Sequence, residues 1–185
     1  MNQVEPIRNK EDIKRMYQVL SMKSKRDYLF FKLAIHTGIR LTDLLKLEVK
    51  DIKNPQRGNI KTAWIENTVP SIKIKLPETL RQELTDYIDD YQLANQQLLF
   101  QSIRTQQALS RQQAYRIIHQ AAEELGILHI GLTTLRKTFA YHAYESGISI
   151  SIIQKYLGHQ TTQETMKFIG IKKIEKNQTV IALNL

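Results

Sequence analysis

Four short stretches of this chain carry the side chains able to act on a charged substrate. Arg40 lies two residues beyond Gly38 in His36-Thr37-Gly38-Ile39-Arg40, and Arg136 and Lys137 stand at the head of a helical pattern that begins at Thr133. His159 follows Leu157-Gly158, and Phe168 precedes Ile169-Gly170. A guanidinium is permanently cationic and donates two parallel hydrogen bonds, a geometry that suits phosphate oxygens. Taken singly, Arg40 fits a solvated loop residue and Arg136 a surface helix charge. His159, beside a helix-ending glycine, fits a partner for the negative end of a helix dipole.

Hydrophobic periodicity predicts the elements that must position these groups. Asn9 or Lys10 opens a first helix with Ile13, Met16, Val19 and Leu20 on one side. Ser24 caps a second, through Leu29, Phe30, Leu33 and Ala34, and Gly38 ends it as a left-handed residue. A short third helix is expected over residues 41–49. After the turn cluster Asn54-Pro55-Gln56-Arg57-Gly58-Asn59 come two strand-like runs, 60–65 and 71–76, separated by Glu66-Asn67-Thr68-Val69-Pro70. In the second run Ile72, Ile74 and Leu76 alternate with Lys73 and Lys75, which predicts a half-buried strand with one basic face.

Pro77 suits the first turn of a helix running from Glu78 to about Tyr91. Residues 92–107 read as loop apart from Leu98-Leu99-Phe100. Ser110 with Gln113 forms a capping box for a helix to Leu125, which Gly126 stops. Three short helices and the tail KKIEKNQTVIALNL complete the chain. The expectation is a mainly α chain with a small antiparallel β-hairpin (α+β), forming one domain over residues 1–185.

A chain of 185 residues, 42% hydrophobic, buries a core without metal or disulfide support. With no cysteine there is no disulfide framework, no thiolate nucleophile and no Cys-ligated zinc. The five histidines (36, 119, 129, 142 and 159) have no ligand spacing, so no metal and no cofactor are expected. The formal charge of +9, from 27 basic and 18 acidic residues, favours a polyanionic partner, nucleic acid before membrane, although composition alone also fits a surface charged for solubility. The polar N-terminus lacks the apolar core of a signal peptide, and the apolar runs are too short to span a bilayer, so a cytoplasmic location is expected.

Three segments, HTGIRLTDLLKL, TLRKTFAYH and LGHQTTQETMKFIGI, occur in order with a basic hairpin between the first two. Together they resemble the catalytic domain of the tyrosine recombinases, the phage-integrase family, over residues 12–171. The likeness is greatest to small stand-alone members without the usual N-terminal core-binding domain. It implies the tyrosine-recombinase catalytic fold and double-stranded DNA as partner, with Arg40 and Arg136 clamping the scissile phosphate. His159 would add a further hydrogen bond, and Lys137 would occupy the position that assists the nucleophile. Lys61, Lys73 and Lys75 are the hairpin lysines expected at DNA. The tail, 172–185, is expected to pack on its own core or on a neighbouring subunit.

Three positions depart from the family pattern. Phe168 stands where the nucleophilic tyrosine belongs, Asn67 where a general-acid lysine belongs, and Thr133 where a histidine belongs. A phenyl ring without a hydroxyl forms no phosphotyrosyl bond, and residues 157–185 contain no tyrosine at all. The expectation is a DNA-binding relative that does not cleave, alone or beside an active recombinase. Three departures fit a naturally non-cleaving protein better than an engineered tyrosine exchange. The alternatives are an active site-specific recombinase seen as a nucleophile variant, and a protein-interaction module on the same scaffold.

Overall fold

The computed structural model describes residues 3–66 and 71–171. Helix α1 (Lys10–Lys23) is capped by the Asn9 side chain, which accepts from the Glu11 backbone N–H. Ser24 ends α1 and caps α2 (Lys25–Thr37), so one serine turns the chain between two helices. Gly38 closes α2 at φ +63°, where an L side chain is strained. Two single turns follow, α3 (Leu41–Leu44) and α4 (Val49–Ile52), then an antiparallel hairpin of β1 (Ala63–Glu66) and β2 (Ile72–Lys75). The chain continues through α5 (Glu78–Asp90), α6 (Arg111–Glu124), α7 (Thr133–Glu145), α8 (Ile150–Leu157) and α9 (Thr162–Ile169).

The mainly helical plan with one small sheet is the expected one, and the caps at Asn9, Ser24 and Ser110 act as the sequence implies. Two boundaries differ. The helix expected over 41–49 is split, because the segment 95–99 pairs with it: Leu99 N–H donates to Leu47 O, and Val49 N–H donates to Gln97 O. Glu48 bridges to Leu98 and starts α4 afresh through a capping box with Asp51. The first strand begins at Ala63 rather than at residue 60, because Ile60 is buried in a bridge to Lys53.

The apolar residues sort into two clusters. The larger joins α1, α2, α5 and α6 around Met16, Leu20, Phe30, Phe31, Leu84 and Phe100. The smaller joins α7, α8 and α9 around Ala140, Ile153, Tyr156, Leu157 and Ile169, with Ile72 and Ile74 of the hairpin against it. Burying such side chains stabilises each by roughly 1.5–3 kcal/mol. The clusters meet where α2 crosses α7, close enough that a methyl on Gly38 would lie 2.3 Å from the Phe139 ring. The Tyr156 hydroxyl donates to Thr37 O, tying α8 to the end of α2. Arg40 leaves from this seam.

Candidate functional site

The last turn of α8 is the meeting point of the two arginines. A helix C-terminus presents carbonyl groups without intrahelical partners and attracts cations. Arg136, on the first turn of α7, donates to Tyr156 O and Leu157 O, each at 3.3 Å. Arg40 arrives from the other side, as the residue that starts α3: a methyl on Gly158 would sit 3.4 Å from its terminal nitrogen. Arg40 is exposed and Arg136 half-buried, so the pair offers one open and one braced guanidinium.

His159 follows directly, because Gly158 at φ +75° turns the chain out of α8. Its Nδ1 lies 3.0 Å from the Thr165 hydroxyl, and Gln154 Nε2 donates to its carbonyl at 3.2 Å. The Thr165 hydroxyl also donates to Thr161 O at 3.3 Å, and the tautomer of His159 decides which ring nitrogen is the donor. Burial lowers the His159 pKa from its ordinary value; Glu164 opposes this and Arg136 reinforces it.

Phe168, the residue before the last of α9, packs its ring edge-to-face on His159, centroids 5.0 Å apart. The Lys137 ammonium lies 5.0 Å from the centre of the same ring. Lys137 also donates to Val4 O at 2.9 Å. Burial pushes its pKa below the usual lysine value, with Glu5 opposing and Arg8 reinforcing. Arg40, Arg136, His159, Lys137 and Phe168, drawn from four elements or their ends, thus come together. Thr133 opens α7 as an exposed residue.

The hairpin lysines divide. Lys73 and Lys75 are exposed on β2, whereas Lys61 is engaged with its own backbone, Nζ donating to Asp51 O at 2.7 Å. Asn67 and the tail 172–185 lie outside the described residues. Two contributors were not singled out from sequence. Thr165 is fully buried one turn before buried Ile169, and a polar residue on the apolar stripe of an amphipathic helix is the signal that marks it. The segment 3–9, which holds Lys137, carries no such signal, because its contacts are made to residues far along the chain. A separate recess of about 660 Å³, lined by Tyr17, Ile72, Ile74, Phe139 and Ile152 among others, includes none of the five site residues. Among the described residues, no helix is long and apolar enough to cross a membrane.

Helices bracketing a hairpin, with two arginines and a histidine at one helix end, define a recombinase-type catalytic fold. The chain matches the model of the phage integrase family over residues 8–173, and it belongs to that family. It is 40% identical over 171 residues to the probable integrase/recombinase YoeC of Bacillus subtilis, covering 92% of both chains. It is 28% identical over 180 residues to the tyrosine recombinase XerA of Pyrococcus furiosus, covering 95% of this chain and 60% of that one. Among solved structures it resembles XerA recombinase (TM-score 0.71, 22% identity, 91% of this chain and 60% of that chain). It also resembles the XerH site-specific recombinase bound to its difH substrate (TM-score 0.67, 19% identity, 90% and 50%). The chain spans nearly all of the first relative and only half to two-thirds of the others.

Proposed function

We propose that this protein binds double-stranded DNA through its phosphates and does not cut it. The convergence of Arg40, Arg136 and His159 at the end of α8, with a phenyl ring at position 168 beside them, carries this reading. The two guanidinium groups supply donors to one phosphate with the His159 ring beside them, a charge-assisted set of the kind that stabilises developing negative charge. Lys73 and Lys75 extend the positive surface along β2. The relatives' names, integrase and recombinase, support DNA as the partner. Contacts to phosphate position a protein without reading sequence, so binding is weakly selective and falls with salt.

Cleavage in this family's manner needs an oxygen nucleophile at position 168, and Phe168 has none. A role beside an active recombinase, or as part of an oligomer, fits a protein that holds the substrate without breaking it.

The test is to incubate the unmodified chain and Phe168→Tyr with intact and nicked duplex DNA, then seek covalent adducts on denaturing gels while recording retention at low and moderate salt. Retention without adducts from the unmodified chain is the expected result. Strand nicking by the unmodified chain would overturn the reading. Adducts from Phe168→Tyr alone would favour a site complete but for its hydroxyl, the mark of a recently lost or exchanged tyrosine. His159 and Lys137 already flank the ring position, which is the observation favouring that second outcome.

A further inference from the structure

Residues 3–9 lie along α7, and backbone groups of Val4, Glu5 and Ile7 bond to it or to the loop before it. Glu5 N–H donates to His129 O at 2.8 Å, Thr134 Oγ1 donates to Glu5 O at 2.9 Å, and Ile7 N–H donates to Thr138 Oγ1 at 2.9 Å. Nε2 of His142 lies 2.8 Å from Ile7 O. At one end of this strap Lys137 donates to Val4 O; at the other Arg8 donates to Gly170 O at 3.2 Å, just past α9, and pairs with Glu5 at 3.0 Å. The strap therefore touches both the assisting lysine and the helix that carries residue 168.

We propose that the strap and a DNA phosphate compete for Lys137, so that duplex binding loosens residues 3–9 from α7. The proposal rests on the DNA-binding reading above. Val4 O is a neutral acceptor, whereas a phosphodiester carries a full negative charge, so the ammonium gains a charge–charge attraction by moving to phosphate. The lysine stem is flexible, and its ammonium already lies 5.0 Å from the centre of the Phe168 ring, which also packs on His159. A phosphate held by Arg40, Arg136 and His159 stands within the same cluster and draws the ammonium from the strap. Linkage makes the effect reciprocal: whatever weakens the strap strengthens DNA binding by the same factor.

Thr138→Val tests this outside the cationic set, because it removes the acceptor of Ile7 N–H while keeping the buried shape. The full chain and this variant are titrated with a random-sequence duplex at several salt concentrations. The expected result is roughly threefold or greater tighter binding by the variant, with the slope of log K against log salt unchanged, because Lys137 reaches phosphate in both complexes. On the unmodified chain, DNA should accelerate amide exchange at Glu5 and Ile7; this arm stands even if Thr138→Val folds poorly. Binding with unchanged or weaker affinity in a folded variant, or strap amides that DNA protects, would overturn the competition and leave the DNA-binding reading intact. Failure of both proteins to retain DNA at low salt would sink that reading and the competition with it.

Discussion

Gly38→Ala should destabilise the protein by about 2–5 kcal/mol, for two separable reasons. Gly38 has φ +63°, and holding an L residue in that left-handed region costs roughly 1–2 kcal/mol. The added methyl would also lie 2.3 Å from Phe139 Cδ1 and 2.7 Å from Cγ, well inside contact distance. Phe139 cannot swing aside freely, because its ring packs on Tyr156 at 5.1 Å, and overpacking of this kind costs roughly 1–3 kcal/mol. Urea unfolding at pH 7.5 measures the total. A Phe139→Ala background removes the clashing atoms but not the backbone strain, so there the cost of Gly38→Ala should shrink to about 1–2 kcal/mol. DNA retention should weaken as well, since Arg40 leaves the same turn. A cost below about 1 kcal/mol in the unmodified background, or no reduction with Phe139→Ala, would refute the account of the α2–α7 seam.

Arg136→Ala should lower the salt slope of DNA binding by about one phosphate contact, while Arg136→Lys keeps the slope and loses affinity through its single-point charge; duplex titrations at four salt concentrations distinguish them. Lys61→Met should lower stability by about 1–2 kcal/mol, through the lost bond to Asp51 O, and leave DNA binding nearly unchanged. Lys73→Ala with Lys75→Ala should do the reverse, flattening the salt slope with little change in the urea midpoint. His36 gives a pH dependence. Burial lowers its pKa, so the unfolded chain binds its proton more readily than the folded one, and stability is complete above the unfolded value near 6.5 and falls as pH drops towards the folded value. Urea midpoints at pH 7.5 and pH 5.5 should differ less in His36→Gln than in the unmodified chain.

The local rules carried a long way along this chain. Asn9, Ser24, Gly38, Ser110 and Gly126 punctuate helices through their own side chains or φ angles, so their effect is written within four residues of each. Alternation at Ile72, Lys73, Ile74 and Lys75 likewise gives the strand its buried and basic faces. What failed was non-local. Residues 41–49 have helical periodicity, yet backbone pairing with Gln97 and Leu99 splits them, and no pattern inside the segment announces a partner some fifty residues away. Lys61, read as a hairpin lysine expected at DNA, also bonds Asp51 O, a contact that nothing in its neighbourhood reveals.

By itself the sequence determined the helical plan and the side chains available at the site. It also determined the one chemical fact that matters most, that residue 168 has a ring and no oxygen. Tertiary structure alone decided how those side chains are used. Arg40 and Arg136 are separated by most of the chain and meet only because α8 ends between them, where unpaired carbonyls attract positive charge. Lys137 takes its acceptor from Val4, near the opposite end of the chain. Such pairings depend on how two apolar clusters dock, a sum of many small packing energies that no short motif encodes.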